Sequence, residues 1–160
     1  MWQGILQGLE GSGVAAFIRQ SIWAYPAVEI LHISGFVMLV GSAFVFDLRL
    51  IGRLRSLPIT DAVHHLTRWA RRSFALVVPS GFLLFMVDAT TLATNPAFQI
   101  KLLLIGCAAI NAAFFHWVTF RKAAEWDSGA TLPGAARLAG VVSIVLWFSV
   151  IAFGRLIAYV

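Results

Sequence analysis

Charge is scarce in this sequence: 12% of its 160 residues are Asp, Glu, Lys or Arg, while 60% are hydrophobic. Ordinary soluble domains carry about twice that charged fraction. One water-soluble domain is therefore excluded, and lipid is the expected solvent. Cysteine is scarcer still. The single Cys107 lies in an apolar stretch, so there is no disulfide framework, and without a CxxC or CxxCH pair there is no covalent haem attachment. No Ser-His-Asp set, phosphate-cradling glycine loop or HExxH motif occurs, which makes stand-alone catalysis the least expected activity. The first twenty residues contain Glu10, Gly4, Gly8, Gly11 and Gly13 and lack a basic stretch followed by a long apolar core, so they do not read as a cleaved signal peptide.

What is present is hydrophobic length. A helical crossing needs about 20 apolar residues, and the chain supplies four such stretches, at about 23–48, 73–88, 98–120 and 138–158. The fold expected is an all-α, four-helix integral membrane bundle in one domain, with residues 1–20 as an interfacial amphipathic segment. Thr60 is a plausible N-cap for the second helix, whose polar start holds Asp61, His64, His65, Arg68, Arg71 and Arg72. Pro79 and Gly81 fall mid-span, where proline removes a backbone hydrogen bond and bends the helix. A loop from Thr90 to Pro96 and a glycine-bearing acidic loop with Glu125, Asp127, Gly129 and Pro133 complete the connections.

The net charge of +5 would point to nucleic acid in a soluble protein. Here the basic residues flank hydrophobic spans, so the bilayer is the expected partner and nucleic acid is not. Nine of the twelve, among them Arg49, Arg53, Arg55, Arg71, Arg121 and Arg137, fall on one side of the four spans, leaving Arg19, Lys101 and Arg155 on the other. The positive-inside rule then puts the arginine-rich side in the cytoplasm of a bacterial inner membrane and both termini on the periplasmic side. A Leu-Pro pair precedes both even-numbered spans, at Leu57-Pro58 and Leu132-Pro133. This fits either two parallel hairpins or a shared turn signal.

Ionisable groups inside a span are costly unless paired, so they are the candidates for function. Glu29 and His32 are three residues apart and Asp47 follows Glu29 by eighteen, about five helical turns, so the three share a stripe expected to face the bundle interior. Glu29, His32 and Asp47 form either a metal or proton site or, for the first two, a pair that bonds to itself and locks helices. In the third span Gly106, Ala109, Ala113 and His116 form a small-residue face that admits a neighbouring helix or a flat cofactor, while Asn111 suits a helix–helix hydrogen bond. His116 and either His65 or His64 reach similar depths, roughly 27 and 34 Å along their helices, and so form a possible haem clamp. His32 lies roughly 15 Å away in depth, where Met86 is the available thioether partner.

The run Glu29-Ile30-Leu31-His32, with Gly35-Phe36, Gly41 and Asp47-Leu48-Arg49, resembles a family of small bacterial membrane proteins of unknown function over nearly the whole chain. In architecture alone, four helices with intramembrane histidines also look like membrane b-type cytochromes and copper-resistance membrane proteins. Those cytochromes pair their histidines at each haem level, whereas His32 has no matching histidine. The function expected first is a haem b or electron-transfer subunit. A proton or metal transporter using Glu29, His32 and Asp47 is the second expectation. The third is an accessory subunit binding other membrane subunits or a second copy of itself.

Overall fold

A computed structural model describes residues 2–54, 59–119 and 132–160, and every regular element among them is helical. Two short helices come first, α1 (Trp2–Glu10) and α2 (Gly13–Gln20), where a single interfacial segment is expected. The break between them is a cap, since Ser12 accepts from the Ala15 amide at 3.3 Å. The long helix α3 (Ala24–Leu50) follows. It stops at Gly52, the described residue with left-handed φ (86°), where the amides of Arg53 and Gly52 close back onto the carbonyls of Leu48 and Arg49. This paired closure needs a residue without Cβ at its turn.

Helix α4 (Ile59–Val87) contains Pro79 in its interior, and Thr60 falls inside it rather than at a cap. The expected outer loop holds a short helix, α5 (Ala89–Thr94), before α6 (Pro96–Phe114). Asn95 starts α6 by accepting from the Phe98 amide at 3.1 Å, with Pro96 at the first helical position, where a missing amide proton costs nothing. α6 runs on into a π-helical turn, Phe115–Thr119, and α7 (Gly134–Leu156) begins after Pro133. Leu57-Pro58 and the loop residues Arg121, Lys122, Glu125, Asp127 and Gly129 lie outside the described residues.

Four helices, α3, α4, α6 with its π turn, and α7, are long and apolar enough to cross a membrane. Their outward faces are large hydrophobic side chains: Leu103 is 66% exposed and Ile110 71%. α3 is the central element, packed on α4 along one side and on α7 along another, and α7 in turn packs on α6. α4 and α6, the two ends of this arc, meet at the end that holds the termini, where the Phe85 and Phe98 rings stack with centroids 5.5 Å apart. Among the described residues they share no extensive packing beyond that contact.

Polar bonds tie the terminal end together. The Glu10 carboxylate accepts from both the amide and the hydroxyl of Thr90, at 3.1 and 2.6 Å, filling an otherwise orphaned donor in the first turn of α5. Arg19 donates to the Glu10 carbonyl at 2.7 Å. Asn95, besides capping α6, donates to the carbonyls of Ile157 and Val160 at 3.2 and 2.6 Å, so both termini lie at one end. At the arginine-rich end Leu50, Phe115, Ala136 and Ala139 form a core cluster, with Phe46 and Leu132 against it.

A half-open cavity at the arginine-rich end

Because α4 and α6 diverge from their Phe85–Phe98 contact, the arc encloses space toward the other end. A half-open cavity of about 420 Å³ occupies it, with walls from α3, α4, α6 and α7. Phe46, Phe74, Phe115 and Trp147 supply aromatic surface, and Ala108, Ala109 and Ala112 keep the α6 wall low. Phe115 and Phe46 meet edge to face at 5.3 Å, which turns the start of the π turn into the space. π turns insert one extra residue and re-aim the side chains that follow, often at functional sites.

Few polar groups converge on this apolar space. Asp47, on the last turns of α3, is 4% exposed and lines it. The Ser143 hydroxyl of α7 lies beside that carboxylate, while Asp47 Oδ2 is buried with no hydrogen-bond partner among the described residues. Gly140, one turn before Ser143, makes the approach possible: a Cβ there would stand 3.2 Å from the Asp47 carbonyl and 3.1 Å from the Leu50 Cβ. Thr67 and Arg71 of α4 line the opposite wall, and Arg71 is exposed at the rim. Asn111 donates to the Ala139 carbonyl at 3.1 Å, the interhelical bond its sequence position suggests, and also borders the cavity.

His116 lines the same cavity from the π turn. Its Nδ1 lies 3.0 Å from the Ala112 carbonyl, which can only accept, so Nδ1 carries the proton of that bond. A relay of serine, imidazole and carboxylate would need that Nδ1–H on the acid. Here it bonds to its own helix, and Ser143 sits beside Asp47 instead, so the three do not form one.

The remaining sequence candidates fall elsewhere. His64 and His65 are exposed on α4, and neither lines the cavity, whose α4 wall is Leu66, Thr67, Ala70, Arg71 and Phe74. The structure thus does not bring either of them to His116. A Cβ on Gly106 would meet nothing within 4 Å, and Ala113 does not border the space, so the α6 wall is Ile105, Ala108, Ala109, Asn111 and Ala112, with His116 following in the π turn. Asp47 and His116, placed on separate stripes by the sequence, are the two that converge.

His32 serves a different contact. Its Nδ1 lies 3.1 Å from both the Val77 carbonyl and Ser80 Oγ, and the Ser80 hydroxyl donates to the Leu76 carbonyl at 2.7 Å. The imidazole N–H is therefore shared between the two α4 oxygens. The ring lies flush on Gly81, where a Cβ would come within 2.8 Å of His32 Cε1. Glu29 is exposed and is not the partner of His32. It stands about 27 Å along α3 from Asp47, so no single ion can join the two acids. Among the described residues no three His, Cys, Asp or Glu side chains are grouped to hold a metal. Met86 is buried, but five residues past Gly81 it is turned about 140° from the face that meets His32. One imidazole at the cavity and one bonded to α4 do not fit a bis-histidine haem within one chain.

Fold and site together define an all-helical protein in which four long apolar helices form an open arc around a mainly apolar cavity with a buried acid. Residues 13–160 match the model of a family of unknown function, DUF6644, and the chain belongs to that family. No curated protein and no solved structure matches it.

Proposed function

We propose that the chain is a multi-pass protein of the bacterial inner membrane that binds a small, largely apolar molecule in the cavity between α3, α4, α6 and α7. The observation that carries the reading is the cavity itself. At about 420 Å³ it falls in the size range of small-molecule sites, and its few polar groups are gathered on mainly apolar walls as such sites have them. The outward apolar faces of the four long helices support the membrane setting, since monomeric soluble proteins do not expose continuous surface of that kind. The arginine-rich end would face the cytoplasm, with both termini in the periplasm. The α4–α6 gap then opens sideways toward the inner leaflet, which makes the lipid phase the route of entry.

The neutral probe 4-phenylbutanol tests this. Binding to the purified protein in a non-ionic detergent is expected to raise its melting temperature, and Ala112→Phe, which places a ring in the space, is expected to abolish the shift. Equal shifts in wild type and variant would refute the cavity as the site.

A second reading is favoured by His116, an imidazole that borders the cavity beside Phe46, Phe115 and Trp147, as a single protein ligand to haem b would. Haem would supply electron-transfer chemistry, and the protein's part would be the imidazole and the apolar walls. Oxidised and reduced spectra of membrane-purified protein without a Soret band would reject it.

A further inference from the structure

We infer that the cavity selects a ligand carrying a protonated amine, whose ammonium group pairs with Asp47. The inference rests on the cavity as binding site and adds the chemical class of its occupant. Asp47 is 4% exposed, lines the space and keeps one carboxylate oxygen with no hydrogen-bond partner among the described residues. A buried acceptor without a donor costs as much as a lost hydrogen bond, and more when charged, so such atoms in native structures are accounted for by a ligand, a proton or water. Inside a membrane span this is the default mark of a substrate or ion pathway.

The surroundings decide for a cation on an apolar body. Ser143 is the polar side chain beside Asp47, and no ion pair to the carboxylate exists among the described residues. Arg71, the other formal charge on the lining, is exposed at the rim, where water and lipid phosphates screen it. His116 borders the space from the π turn, with Nδ1 already engaged by the Ala112 carbonyl. An inorganic cation would need several oxygen ligands around it, whereas here most of the wall is Leu, Ala, Ile and aromatic surface. A single ammonium directed at the Asp47 carboxylate, with hydrocarbon or an aromatic ring along Phe46, Phe74 and Trp147, satisfies both parts. The aromatic faces add cation–π attraction for the same group.

The experiment compares 4-phenylbutylammonium with 4-phenylbutanol on the wild-type protein in one non-ionic detergent. The ammonium is expected to bind about ten- to a hundredfold more tightly, the range for a hydrogen bond to a charged group. Asp47→Asn should erase that preference and Asp47→Glu should keep part of it. Equal or weaker binding of the ammonium by wild type would overturn the inference, whether or not the variants fold, while binding of both probes lost in Ala112→Phe would leave the cavity reading standing. If neither probe shows binding sensitive to Ala112→Phe, the cavity reading itself falls.

Discussion

The contact between His32 and Gly81 can be broken by a single methyl group. A Cβ on Gly81 would lie 2.8 Å from His32 Cε1 and 3.3 Å from its Nδ1. The ring cannot yield in place, because Nδ1 is held by the Val77 carbonyl and Ser80 Oγ, both at 3.1 Å. Gly81→Ala must push the imidazole off α4. Overpacking of this kind costs about 1–3 kcal/mol, and the interhelical hydrogen bond lost with it averages roughly 0.6 kcal/mol in membrane proteins. Alanine recovers about 1 kcal/mol of helix propensity, leaving a net destabilisation of about 0.6–2.6 kcal/mol. In a His32→Ala background the clash is gone, so the same substitution should be neutral or stabilising. A double-mutant cycle read by denaturant unfolding in mixed micelles measures the coupling. If Gly81→Ala costs the same with and without His32, the helices are not seated through this ring and the reasoning is wrong.

The other predictions concern the ends of the arc. The two Thr90 bonds hold the Glu10 carboxyl below its ordinary value of 4.5, so its contribution is present above pH 4.5 and is lost as the pH falls below it. The protection of amides over residues 2–20, taken as exchange relative to the intrinsic rate at each pH, should fall on acidification and be low at all pH values in Glu10→Gln; unchanged protection would remove Glu10 as the tie. Asn95→Ala deletes a cap and two bonds to the C-terminal turn, and should cost about 1–3 kcal/mol in the same unfolding assay. A loss below a few tenths would mean the C-terminus is not anchored there. Reporter fusions after Val160 should be active only in the periplasm, and a cytoplasmic signal would invert the proposed orientation.

The long helices are legible because hydropathy is a property of consecutive residues: α3, α6 and α7 begin or end within about four positions of the spans that the sequence implies. The site is legible only in pieces. Asp47 and His116 stand out as ionisable groups in apolar runs, yet helical spacing relates residues on one helix and says nothing about which neighbour stands opposite. Nothing in the sequence therefore marks Arg71, Thr67 and Ser143 as cavity residues, although each is polar and borders the space. The same limit misplaces Glu29, which shares an azimuth with Asp47 but is exposed at its own level. The stripe implies that His32 faces inward; that its partners are Ser80 and a backbone carbonyl near Pro79 depends on how closely α4 approaches, which Gly81 permits but does not announce.

The divergence of α4 and α6 from the stacked Phe85 and Phe98 rings has a consequence for how affinity should be understood. If the helices span a bilayer as proposed, acyl chains of the adjoining leaflet occupy such a cleft whenever no other molecule does. Any guest is then exchanged against lipid tails rather than added to a void. Its measured free energy is a difference between two occupants, and its natural concentration scale is mole fraction in the membrane. Lengthening or saturating the surrounding chains would reset that balance without altering a residue of the protein.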